Sequence, residues 1–141
     1  MGLRDKFATN ENLEVEGVWN QFDESFRVRI ARASTNNIRY AKALEKATKP
    51  FRRNFDMVSS EMQTNILKEV YSKTIVTGWQ TMKDGEWVDG INLEGDEIIS
   101  FTPENVMKVF ADLPDLFATI QQFADEAAVY RQSGLEKEAK N

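Results

Sequence analysis

The side chains in this sequence that could do chemistry are carboxylates and guanidiniums, because the chain contains neither histidine nor cysteine. That excludes disulfides, thiolate or imidazole metal ligands, cysteine nucleophiles and every triad that needs an imidazole base. Carboxylate-only catalysis and magnesium binding survive the exclusion. The densest carboxylate cluster runs through Asp84-Gly85, Asp89-Gly90 and Glu94-Gly95-Asp96. Neither Asp84 nor Asp89 as first ligand reproduces the D-x-[DN]-x-[DN]-G-x₅-E spacing of a calcium loop, so the cluster reads as an acidic solvated loop. No G-x-x-x-x-G-K-[ST] or G-x-G-x-x-G run is present to cradle a phosphate. The expectation is a protein without catalytic residues, cofactor or bound metal.

The basic residues carry a stronger pattern. Between Arg27 and Arg53 lie nine of the 18 lysines and arginines (Arg27, Arg29, Arg32, Arg39, Lys42, Lys46, Lys49, Arg52, Arg53) against a single acid, Glu45. The rest of the chain holds nine basic and 22 acidic residues, under a net charge of −5. This dipolar distribution points to an acidic partner, and a second copy of the same chain is one such partner. A solvated helix face accounts for the same composition, and both readings stand at this stage. Tyr40, Phe51 and Phe55 interleave with the cations, as in a nucleic-acid platform, but the acidic remainder makes nucleic acid an unlikely partner.

The elements that must position these residues follow from periodicity. Leu13 to Trp19 alternates in part and Phe26 to Ile30 alternates cleanly, which predicts a β-hairpin over 13–32 behind a loose arm, 1–12. Ser34-Thr35-Asn36-Asn37 offers caps for a helix over 35–49, ended by Pro50. A second helix is predicted over 59–78, with Met62, Ile66 and Val70 in one row and Leu67, Tyr71 and Ile75 beside it. Trp79 then closes the core, and 80–100 is a loop with hairpin character. Thr102-Pro103 starts a helix over 102–113, Pro114 starts another over 114–132, and 133–141 is a disordered charged tail. The expected fold class is mainly α: a single domain, 13–132, of about four helices with a small N-terminal β-hairpin. No apolar run is long enough to span a bilayer and the N-terminus lacks a signal-peptide core, which predicts a soluble, intracellular protein without a membrane partner.

Gly17-Val18-Trp19, Phe26 to Arg32, Asn36-Asn37, Val76-Thr77-Gly78-Trp79, Asp84-Gly85, Phe101-Thr102-Pro103-Glu104-Asn105 and Leu113-Pro114-Asp115-Leu116 occur in an order that spans most of the chain. In that order the sequence resembles the tail assembly chaperones of long-tailed bacteriophages, departing from them in a longer loop between Trp87 and Ser100. The resemblance implies a non-enzymatic protein in the cytoplasm of the infected bacterium, absent from the mature virion. It implies tape measure protein and tail tube protein as partners, with the client kept soluble. Self-assembly into rings or spirals would join the basic residues named above to a neighbour's Asp112, Asp115, Asp125 and Glu126. Client binding would fall on exposed members of Phe110, Leu116, Phe117 and Phe123. The alternative is a structural tail completion or connector protein retained in the virion.

Overall fold

Two runs of four and five residues, Val18–Gln21 (β1) and Phe26–Ile30 (β2), pair antiparallel in the register Val18↔Ile30 to Gln21↔Arg27, so an N-terminal hairpin is present, with its first strand later in the chain than the expected Leu13 to Trp19. The structure, a computed structural model, describes residues 2–131 except for the side chain of Phe55; the tail over 133–141 lies outside the described residues. The hairpin does not end the sheet. Val76–Lys83 (β3) pairs with β2, and Glu86–Asp89 (β4) pairs with β3, making a four-stranded antiparallel sheet in the order β1-β2-β3-β4. Ile91–Asn92 (β5) and Ile98–Ile99 (β6) form a second, two-stranded piece.

Among the described residues six α-helices accompany the strands: Leu3–Phe7 (α1), Glu11–Glu16 (α2), Ile38–Thr48 (α3), Ser60–Thr74 (α4), Pro103–Asp112 (α5) and Pro114–Asp125 (α6). The fold is therefore mixed α/β, which corrects the expectation of a mainly α domain with a small hairpin. Three local causes account for the difference. The helix expected over 59–78 stops at Thr74, where Ile75-Val76-Thr77 supplies β-branched residues suited to a pleated surface, and Trp79 and Thr81 then alternate inward along β3. Asp84 (φ 53°) and Gly85 (φ 82°) both take left-handed backbone, the requirement of a tight two-residue hairpin turn, so the region expected as a loop with hairpin character begins as the full β3–β4 hairpin. Leu13–Glu16, expected as strand, is helical because the Asn10 side chain accepts from the N–H groups of Asn12 and Leu13 and caps α2.

The later helices lie close to their expected places. Asn37 caps α3 through the Tyr40 N–H, Ser59 caps α4 through Met62, and Thr102 caps α5 through Asn105, with Pro103 in the first turn. α6 ends at Asp125, and a short 3-10 turn, Ala127–Tyr130, follows. One face of the sheet (Val28, Ile30, Trp79) packs on Tyr71 and Ile75 of α4, on Val106, Val109 and Phe110 of α5 and on Phe117, Ile120 and Ala124 of α6. Phe117 sits at the centre of an aromatic cluster, 4.8 Å from Phe110 and 5.3 Å from Tyr71. The chain ends are stitched together: Tyr130 is fully buried and donates to the Ile30 carbonyl (3.0 Å), while Asn10 donates to the Tyr130 carbonyl.

Candidate binding surface on the outer face of the sheet

Cross-strand partners share a face, so the register places Trp19 with Arg29, Arg27 with Gln80, Gln80 with Asp89 and Met82 with Trp87 on the side opposite Val28, Ile30 and Trp79. The Phe26–Ile30 alternation that buries Val28 and Ile30 therefore aims Arg27 and Arg29 outward. Arg27 lies between two indoles, its guanidinium carbon 4.4 Å from the ring centroids of both Trp19 and Trp87. Its Nε donates to Gln80 Oε1 (2.9 Å), and the Gln80 amide donates in turn to Asp89 Oδ1 (3.0 Å). Arg29 covers Trp19 at 5.3 Å and donates to the Thr77 hydroxyl and carbonyl, each at 2.9 Å.

A cation over an indole face is attracted by the ring quadrupole, so each partly buried tryptophan also gains from an arginine over its ring. Burial between the rings draws the Arg27 pKa below its ordinary value without neutralising the group. The result is a row, Trp19–Arg27–Trp87, running across the sheet with every member partly buried. It offers flat apolar area and a fixed positive charge and contains no nucleophile, acid–base pair or phosphate cradle. Among the described residues no group of three acidic side chains is placed to hold a metal, and no helix is long and apolar enough to cross a membrane.

The nine basic residues do not form one patch. Arg27 and Arg29 belong to the sheet face, whereas Arg32 points inward to Glu14 (2.9 Å), a carboxylate only 2% exposed that also accepts from Thr9 Oγ1 at 2.6 Å. Arg39, Lys42 and Lys46 are exposed on α3, with Lys49, Arg52 and Arg53 exposed just beyond it. Arg52 stands 4.0 Å from Glu45, at the limit of an ion pair. Asp112, Asp115, Asp125 and Glu126 are all exposed, and none is in an ion pair among the described residues. Asp125 faces Tyr40 and Tyr71 and adds to the burial that raises their pKa values. Phe110 (1% exposed) and Phe117 (5%) are interior, and Leu116 and Phe123 are half-buried against the same core.

The sequence reading gives Trp87 and Gln80 no binding role, because 80–100 reads as a loop with hairpin character whose register is not set, and Trp19 reads there as a core anchor. The signal that finds them is the alternation Trp87-x-Asp89 across the Asp84-Gly85 turn from Gln80-x-Met82.

Comparison with known proteins adds one match. The model of the YdaY prophage protein family matches residues 34–141, more than half of the chain. The chain belongs to that family. It is a phage-derived protein, which agrees at this coarser level with the phage origin that the sequence resemblance implies. No curated protein and no solved structure matches it. The matched segment runs from the approach to α3 onward, so it includes Gln80, Trp87 and Asp89 of the outer face, while Trp19, Arg27 and Arg29 precede it.

Proposed function

We propose that this prophage protein is a tail assembly chaperone, a non-catalytic binder that keeps the tape measure protein soluble and helps bring tail tube subunits to it. On this reading it works in the cytoplasm of the bacterium that produces the phage and is absent from the finished virion. The phage family supports the setting, and a composition without imidazole or thiol supports binding rather than catalysis. The observation that carries the reading is the Trp19–Arg27–Trp87 row. A long helical client presents amphipathic stripes, and their apolar side chains need a surface that is apolar yet stable in water. Tryptophans separated by a guanidinium meet that need without exposing a continuous oily patch. The surface chosen here differs from Phe110 and Phe117, which a client could meet only if the core opened.

Co-expression with the tape measure protein of the same prophage tests the proposal. The tape measure protein should move from the pellet to the supernatant and co-purify, and mass spectrometry of purified particles should find the chaperone missing. A tape measure protein equally soluble with and without this chain contradicts the proposal. Fixed copies of the chain in the particle would favour a tail completion or connector protein.

A further inference from the structure

On the helical side of the molecule, α3, α4 and α6 leave an open notch of about 450 Å³ between them. Tyr40 of α3 and Tyr71 of α4 line it, edge-on to each other at 6.0 Å, together with Gln121, Gln122 and Asp125 of α6. The small side chains of Ala33 and Ala118 leave the space between them open. The surround is fixed: Tyr71 also stands edge-on to Phe117 at 5.3 Å, and the Ala33 N–H donates to the Ala124 carbonyl of α6 (3.0 Å).

Two features of this notch are unbalanced. Tyr71 is only 4% exposed, yet its hydroxyl makes no hydrogen bond among the described residues, whereas the equally buried Tyr130 donates to the Ile30 carbonyl. A buried hydroxyl ordinarily has a partner, and one without it stands ready to accept from a ligand. The second feature is charge. Asp125 ends α6, where the helix carbonyls already concentrate negative potential, and the last turn of α6 holds no basic residue. Asp125 is exposed and in no ion pair among the described residues, and exposed Glu126 follows it. Burial raises the pKa values of Tyr40 and Tyr71 and the Asp125 charge adds to it, which sets that carboxylate on the phenol side of the notch. No lysine or arginine lines the notch: Lys68, one turn before Tyr71, lies over the Phe117 ring (5.7 Å).

We propose that this notch is a receptor for the ammonium group of a lysine side chain presented by a protein partner. An ammonium brings three N–H donors and no acceptor. The Tyr71 hydroxyl, the side-chain carbonyl of Gln121 and the Asp125 carboxylate are three acceptors that meet them, with no resident cation to displace. The four-carbon stem of the lysine lies against the tyrosine rings and the alanine methyls. Ala118, Gln122 and Asp125 are exposed at the mouth, so the partner's backbone has room outside it. A guanidinium suits the site less well, because its planar fork is matched by two oxygens of one carboxylate, and here the acceptors are spread over two helices. The notch lies within one chain and on the helical side, away from the Trp19–Arg27–Trp87 row, so it requires neither a second copy nor the client reading.

Titration of the purified, isotope-labelled chain with Nα-acetyl-lysine-N-methylamide, followed by amide chemical shifts, tests it. The signals of Gln121, Gln122 and Asp125 should move saturably with a dissociation constant on the order of millimolar, the range open to a single small side chain. The norleucine derivative, which has the same stem without the ammonium, should leave them in place. Tyr71→Phe should weaken binding about tenfold by deleting a hydrogen bond to a charged group, and Asp125→Asn about fivefold. Both variants should melt at or above the wild-type temperature, since one loses an unpartnered hydroxyl and the other a carboxylate at the negative end of a helix. Absence of saturable shifts overturns the proposal, as does equal binding of the norleucine derivative, tighter binding of the arginine derivative or of free putrescine, or wild-type affinity in both variants. A Tyr71→Phe chain that melts as far below the wild type as Tyr130→Phe would show that the hydroxyl already serves the fold, and would overturn it as well.

Discussion

The two faces of the four-stranded sheet use the same residue types to opposite ends. On the inner face Trp79 is 3% exposed, its indole N–H satisfied by the Ile99 carbonyl and its ring edge-on to Phe101 at 5.6 Å. On the outer face Trp19 and Trp87 are partly buried, with Arg27 over both rings. Arginine divides in the same way, with Arg32 tied to buried Glu14 and Arg27 stacked on the outer face. The comparison teaches that residue type alone does not separate structure from function in this chain. Position in the period-2 alternation does, since one step along β2 or β3 moves a side chain from the core to the surface that meets a partner.

That contrast can be broken from the core outward. Trp79→Ala should cost about 3–5 kcal/mol in denaturant unfolding, because it empties a packed site and strands the Ile99 carbonyl. Trp19→Ala or Trp87→Ala should cost only about 1 kcal/mol, the scale of a partly exposed cation–π contact, while reducing client binding. Equal losses at all three tryptophans would erase the distinction between the faces. Glu14→Ala should cost about 3 kcal/mol by leaving Arg32 without its buried partner, a change visible as a lower Tm at neutral pH.

Tyrosine ionisation gives a further handle on the inner side. Tyr130 and Tyr71 are pushed well above the ordinary tyrosine value, chiefly by burial. A group whose folded pKa is raised contributes stability that is full below the unfolded value, about 10, and is lost as pH climbs beyond it. Stability should accordingly fall steeply above about pH 10. Tyr130→Phe should lose about 1 kcal/mol at neutral pH by deleting the bond to Ile30 and should flatten that alkaline slope, Tyr71 and Tyr40 supplying what remains. The smallest effect is expected from Arg27→Lys. It keeps the charge and loses the planar stack, costing about 0.5 kcal/mol or less in stability with a measurable drop in client affinity.

Much of the helical half is legible in the residues themselves. Asn37, one of four caps the sequence offers, is the one used, the helix expected from residue 59 does begin at Ser60 behind Ser59, and Pro103 and Pro114 open the last two helices where proline costs no hydrogen bond. Strand β3 is not legible in the same way, because Tyr71, Ile75 and Val76 continue an apolar row that a helix could use, and only pairing with β2 makes Val76–Lys83 a strand. That is a tertiary decision taken fifty residues away. The outer-face site inherits the same difficulty: Arg27 and Arg29 stand out by charge, but Trp87 joins them only through the β3–β4 register. Glu14, an acidic residue in a stretch that reads as a strand of the hairpin, becomes interior only because Arg32 and Thr9 arrive to satisfy it.

The central claim is that the outer face of the sheet is the surface that meets the client. Its most direct test is the solubility of the tape measure protein co-expressed with a Trp19→Ser/Trp87→Ser chain, alongside the melting temperature of that chain. The account predicts a chain that still folds cooperatively and a tape measure protein that returns to the pellet. A folded double variant that keeps the tape measure protein in solution as well as the wild type does would contradict it.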